Sequence, residues 1–325
     1  MSSPILFSIY IDDLYCALRS SGLGCRLKNV FYGCFGNADD LLLLSASRSG
    51  LQSMVNTCSQ FMNKKSLKFS TNVNPVKSKT KCIIFSKKIK DRTNVTPVRL
   101  NGDALPWVDE VKHQGNILEN DNSMKRDIAI KRGKFIGKVN SLLQEFHYVS
   151  PTMFMTLLNI YAVSFHGSGL WDLYSSACDR LYKSWNVTVR STWKVPNTTH
   201  RYLIEDISGS LHLKVMLSSR YAGFVRSLLD SPKYGVRVMA SWCLGDRRTV
   251  LGQTMSNVAA ECGVSRSGSS LPTPAIVKKH LKYFDVPNQE TWRTGPLGEL
   301  LNSDLKVPGF DDDELGDIIS FLCSS

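Results

Sequence analysis

Val30-Phe31-Tyr32-Gly33-Cys34-Phe35-Gly36-Asn37-Ala38-Asp39-Asp40-Leu41-Leu42-Leu43-Leu44 sets two adjacent aspartates between two short apolar runs. Runs of this length, rich in β-formers or leucines, read as buried strands. Asp39-Asp40 then falls at a tight hairpin tip. Two desolvated carboxylates side by side repel each other unless something positive compensates. A divalent cation does so, and hard oxygen ligands suit Mg²⁺. From these residues alone two readings stand, a solvated Asp-Asp turn and a metal site.

Outward from this stretch, the charge is lopsided. The 325-residue chain has a net charge of +12, which points to a polyanionic partner, nucleic acid being the usual one. Through Ser150, Lys and Arg outnumber Asp and Glu by 22 to 12, against 18 to 16 afterwards. The half that would face a polyanion is therefore the half with the Asp-Asp stretch. Nine cysteines are scattered without Cys-x₂-Cys spacing, which fits free thiols in a reducing, intracellular setting. The start, Met1-Ser2-Ser3-Pro4, lacks the basic region of a secretory signal. The longest apolar stretch, Phe154 to Trp171, is broken by Asn159, His166 and Gly167-Ser168-Gly169, so it reads as a core helix and not a membrane span.

Pro4 to Leu14 reads as the start of a helix. It carries a second acidic pair, Asp12-Asp13, which lies in a helical pattern and is set aside as a site. Leu51, Met54, Val55, Cys58, Phe61 and Met62 recur at helical spacing and predict an amphipathic helix on a sheet. A lysine-bearing loop (Lys77, Lys79, Lys81) leads into a strand at Cys82-Ile83-Ile84-Phe85, and Lys87, Lys88, Lys90 and Arg92 follow. Trp107 to Leu118 reads as strand, Gly115 turn, strand. From Asp127 to Phe146 a helix is predicted with Ile128, Phe135, Val139, Leu142, Leu143 and Phe146 inward. Lys131, Lys134 and Lys138 share another face, either a plain solvated surface or a duplex-backbone contact. After Pro151 the chain reads as largely helical. Residues 263–272 read as a Ser/Gly/Pro-rich linker, and about 312–321 as a last helix with an acidic start.

Taken in order, these landmarks carry a family resemblance. Ser3-Pro4-Ile5-Leu6-Phe7 through Asp12-Asp13-Leu14, then Asn37-Ala38-Asp39-Asp40-Leu41-Leu42, then Lys77-Ser78-Lys79 before Ile83-Ile84-Phe85, then Val111-Lys112-His113-Gln114-Gly115 resemble the reverse transcriptase of non-LTR (LINE-type, jockey-like) retrotransposons. Leu157 to Leu173 is similar to the helical segment that follows the polymerase core there. The resemblance implies an α+β fold: a partial right-hand palm over residues 1–120, a helical thumb over 121–262, and a C-terminal tail over 263–325. It implies two-metal nucleotidyl transfer with Mg²⁺, with Asp39 and Asp40 as the paired metal-binding carboxylates. Lys77 and Lys79 would lie toward the incoming dNTP, and the Gly115 turn would grip the primer end. Lys131, Lys134 and Lys138 would touch the RNA template–DNA primer duplex.

The chain also departs from the family pattern. Asn37 stands where the family has an aromatic residue, and Gln114 where it has an apolar one. A further metal-binding aspartate on an earlier palm strand, and the fingers, are implied by the family but not found in this sequence. The expectation is a polymerase fragment inactive by itself, with an exposed sheet edge at the hairpin. The alternative is a basic nucleic-acid-binding remnant without catalysis.

Overall fold

The computed structural model describes residues 9–38, 40–71, 74, 77–86, 88, 93–264 and 271–281. The chain divides into two compact units, Met1–Ser123 with Lys233–Gly235, and Met124–Pro232 with Val236–Ser325. The expected helix start at Pro4, the lysine run Lys87, Lys90 and Arg92, most of the linker and the 312–321 helix lie outside the described residues.

In the first unit, helix α1 (Asp12–Ser20) buries Leu14 and Leu18, one turn apart on a single face. Asp12 and Asp13 occupy its first turn and Arg19 its last, each sign where the helix dipole favours it. Two small hairpins follow: β1 (Arg26–Leu27) with β2 (Val30–Phe31), and β3 (Cys34–Asn37) with β4 (Asp40–Leu43). Helix α2 (Arg48–Lys64) starts at Ser47, whose side chain accepts from the Gly50 amide. It buries Met54, Val55, Cys58 and Met62, as the periodicity predicts. Then come β5 (Cys82–Ile83), β6 (Arg99–Leu100), β7 (Asp103–Ala104), β8 (Trp107–Val108), β9 (Glu110–His113) and β10 (Asn116–Glu119). Strand β5 pairs in parallel with β8, while β6–β7 and β9–β10 are antiparallel hairpins. Every sheet among the described residues has two strands.

Such sheets cannot enclose a core, so α2 does it. On one side Met54 and Cys58 pack with Leu14, Leu18, Leu41 and Leu43. On the other, Val55 packs with Cys82, Val98, Leu100 and Leu105, again with Leu43 against them. Burying a side chain of this size removes about 1.5–3 kcal/mol worth of apolar surface from water. The strands beside the aspartates are half-buried or exposed, not buried as their composition suggests, and Phe35 is 46% exposed. A two-stranded sheet with helices on one face leaves its other face to solvent.

The second unit is helical: α3 (Lys125–Glu145), α4 (Pro151–Tyr161), a short 3₁₀ turn (Ser168–Leu170), α5 (Ser176–Thr192), α6 (Arg201–Ser208), α7 (Leu213–Leu229), α8 (Tyr234–Gly245), α9 (Val250–Glu261) and α10 (Pro274–Leu281). Only the part of α8 from Val236 onward belongs to this unit. Ser150, Ser175 and Thr249 cap α4, α5 and α9 through their hydroxyls. Phe135, Phe165, Trp171 and Trp185 pack in the core as tilted and T-shaped ring pairs, with centroid distances of 5.7 to 6.2 Å.

Two expectations are corrected here. The apolar stretch to Trp171 is not one helix: α4 ends at Tyr161, and Gly167 takes a φ of +78° on entry to the 3₁₀ turn. Leu143 is exposed, because Leu142 takes the inward position and the next residue is rotated about 100° away from it. No helix among the described residues is long and apolar enough to cross a membrane.

Candidate functional site: the Asp40 hairpin

Strands β3 and β4 pair Cys34 with Leu43, Phe35 with Leu42, Gly36 with Leu41 and Asn37 with Asp40. Ala38 follows Asn37 at a φ of +52°, the left-handed conformation that a tight reversal demands. Asp40 is exposed at the turn end of the hairpin, opposite Asn37. Asp39 lies outside the described residues. Leu41 and Leu43, two apart on one strand, share a face and pack onto the cluster built by α1 and α2. The hairpin is thus anchored at its base and polar at its tip.

Helix α1 also reaches the hairpin through Tyr15, whose ring lies across Gly36. A Cβ built on Gly36 would meet the Tyr15 hydroxyl first, and would stand 2.6 Å from Cζ and 3.2 Å from Cε1. Burial pushes the Tyr15 hydroxyl above its usual range, with Cys34 and Asp12 adding to it. Burial likewise pushes the Cys34 thiol up to about 11 and Cys58 up to about 12, so both are inert hydrophobes and not nucleophiles.

The other residues singled out from sequence divide between the units. Lys77 and Lys79 are exposed on the loop before β5, flanking Ser78, which is buried and donates its hydroxyl to the Thr80 carbonyl at 2.6 Å. Cys82 on β5 and Leu43 on β4 pack in one cluster, so the strand bearing Asp40 and the strand entered from Lys77 and Lys79 share a core. Gly115 sits at the β9–β10 tip at φ +80°, after Gln114 at +47°, with His113 paired to Asn116. Two successive positive φ values across a two-residue loop define a type I′ turn.

Lys131, Lys134 and Lys138 lie on α3 in the second unit. They do not behave as one stripe. Lys131 donates to Asp127 Oδ2 at 2.8 Å, and its ammonium lies 5.5 Å from the centroid of the Trp171 ring. Lys138 is exposed but donates to the Tyr161 carbonyl at 2.7 Å. Lys134 is exposed. Asp127 is 1% exposed and takes a second hydrogen bond from the Trp171 indole at 2.8 Å. Sequence reasoning missed Asp127. Its spacing from Lys131 is a readable i, i+4 acid–base pair. Its partner Trp171, 44 residues on, is not.

Asp40 offers hard carboxylate oxygen, the donor type Mg²⁺ takes, and with Asp39 beside it in sequence the donor chemistry fits that ion. Among the described residues no three His, Cys, Asp or Glu side chains come together as a metal-holding group.

A search against protein-family models found no match, and a search of curated proteins found none either.

Proposed function

We propose that this chain carries the later palm and the thumb of an RNA-directed DNA polymerase of the non-LTR retrotransposon kind. The observation that carries the reading is the hairpin. A carboxylate stands exposed at the tip of a tight antiparallel turn, next to a second aspartate in sequence, on strands anchored to a helix–helix core. The ordered landmarks before and after it supply the family. In this reading Asp39 and Asp40 hold Mg²⁺, and Lys77 and Lys79 draw the dNTP phosphates. The Gly115 turn bears on the primer end. Lys134 and Lys138 meet the duplex backbone, with Lys131 tied inward to Asp127. Bound Mg²⁺ would supply activation of the attacking hydroxyl and steadying of the pyrophosphate leaving group. The chain's own cations lower the repulsion between hairpin carboxylates and nucleic-acid phosphates.

The resemblance calls for a third metal-binding carboxylate beyond the two this chain supplies. The purified chain is therefore expected to bind RNA–DNA duplex but not to extend oligo-dT on poly-rA with Mg²⁺ or Mn²⁺. Binding should weaken steeply with salt, the slope falling by roughly 0.7–0.9 for each phosphate contact removed, as in Lys134→Ala. Extension that disappears in Asp39→Ala and Asp40→Ala would overturn the expected inactivity. Duplex binding with no salt dependence would sink the nucleic-acid reading. Binding with no Mn²⁺ affinity at the hairpin would favour the non-catalytic remnant.

A further inference from the structure

We infer that Tyr15 is a positioning residue for the hairpin tip, and that Gly36 is glycine to admit it; this rests on reading Asp40 as a metal-binding carboxylate.

Gly36 is the last residue before the tip pair Asn37 and Asp40, and it is paired with Leu41. On the other side of that pair, Leu41 and Leu43 fasten β4 to the cluster of Leu14, Leu18, Met54 and Cys58. Strand β3 lacks equivalent anchors near the tip: Phe35, Gly36 and Asn37 are all exposed residues. Tyr15 supplies one. It stands one residue after Leu14 on α1, so its ring leaves the helix beside the buried face and reaches over the Gly36 backbone. A side chain on Gly36 would collide first with the Tyr15 hydroxyl and then with Cζ at 2.6 Å, while Cε1 at 3.2 Å would be a tight contact. The ring has two rotatable bonds and is half-buried, so it forms a stiff brace at low entropic cost. Bracing β3 one pair from the tip fixes the register of Asn37 against Asp40. A slip of one residue would turn the tip carboxylate to the opposite face.

The test uses Mn²⁺ alone as the probe, with water-proton relaxation as the readout, on the full chain. The variants are Tyr15→Leu, Tyr15→Phe, Gly36→Ala, the Tyr15→Leu/Gly36→Ala double variant, and Asp40→Asn. Tyr15→Leu and Gly36→Ala are each expected to weaken Mn²⁺ binding about tenfold, the lower end of what loss of a supporting partner costs a metal site. Tyr15→Phe, which keeps the ring but removes the hydroxyl nearest Gly36, should weaken binding less than Tyr15→Leu does. The double variant should be no worse than either single one, because both remove the same brace. Far-UV circular dichroism melts run alongside show whether each variant is folded. If Tyr15→Leu reduces the melting temperature but leaves Mn²⁺ affinity unchanged, Tyr15 is only packing and the inference is wrong. If the parent binds no Mn²⁺, or Asp40→Asn binds as well as the parent, the metal reading fails instead.

Discussion

Removing the Asp127 carboxylate should be among the most damaging single changes in the helical unit. The carboxylate is 1% exposed, and one oxygen, Oδ2, accepts from both the Lys131 ammonium and the Trp171 indole, each at 2.8 Å. Asp127→Ala takes this acceptor from a cation whose side chain is only 12% exposed and from an N–H on a fully buried ring. Breaking a buried ion pair from one side costs about 3–5 kcal/mol. The residual exposure of Lys131 lets its ammonium move toward water, which places the expected loss near the lower end, about 3 kcal/mol. Asp127→Asn keeps an acceptor for the indole and should cost about half of that. Adding Lys131→Met to Asp127→Ala should restore part of the loss, because the largely buried charge that has lost this carboxylate goes with it. The assay is hydrogen exchange read on peptides from Lys125–Glu145 and Ser176–Thr192, which resolves this unit from the other. A loss of 3 kcal/mol corresponds to exchange about a hundredfold faster through global opening. A change under about 1 kcal/mol in Asp127→Ala, or a double variant that falls by the sum of its singles, would refute the reasoning.

At the β9–β10 tip both turn residues hold positive φ. Gln114→Asn should stabilise the hairpin by about 0.5 kcal/mol, and Gly115→Val should cost about 1–2 kcal/mol, each read by urea unfolding. In alkali the chain should lose stability from about pH 9 upward. Burial pushes the Cys34 and Cys82 thiols up to about 11 and Cys58 and Cys178 up to about 12, and raises the hydroxyls of Tyr174, Tyr182 and Tyr221 above their ordinary 10.0. Each raised value means the folded chain holds its proton more tightly than the unfolded one. That contribution is complete below the unfolded value and is lost as pH rises through the folded one. Urea midpoints between pH 8 and 12, with tyrosinate absorbance at 295 nm, check this; a midpoint unchanged up to pH 12 would contradict it.

Local pattern was enough for some features. The helical spacing of Leu51, Met54, Val55, Cys58, Phe61 and Met62 specified the α2 helix and its inward face, of which Met54, Val55, Cys58 and Met62 are buried and Leu51 and Phe61 half-buried, because apolar residues one turn apart share a side of the helix. Gly115 marked a turn because few other residues hold its backbone conformation. Two acidic residues between two β-forming runs marked a hairpin whose register the structure pairs from Cys34–Leu43 to Asn37–Asp40.

Other features depended on distance in the chain. Strand burial was overread, since composition does not show that each sheet among the described residues has only two strands and one covered face. The lysines of α3 look equivalent in sequence. They diverge in the fold because Trp171, 44 residues beyond Asp127, turns that aspartate inward and draws Lys131 after it. Gly36 reads as one more flexible residue in a hairpin until Tyr15, 21 positions earlier, is found lying across it. Periodicity and turn chemistry are local energies and are legible in the sequence. Which side chains share a buried oxygen or an excluded volume is set by packing between distant segments, and only the tertiary structure decides it.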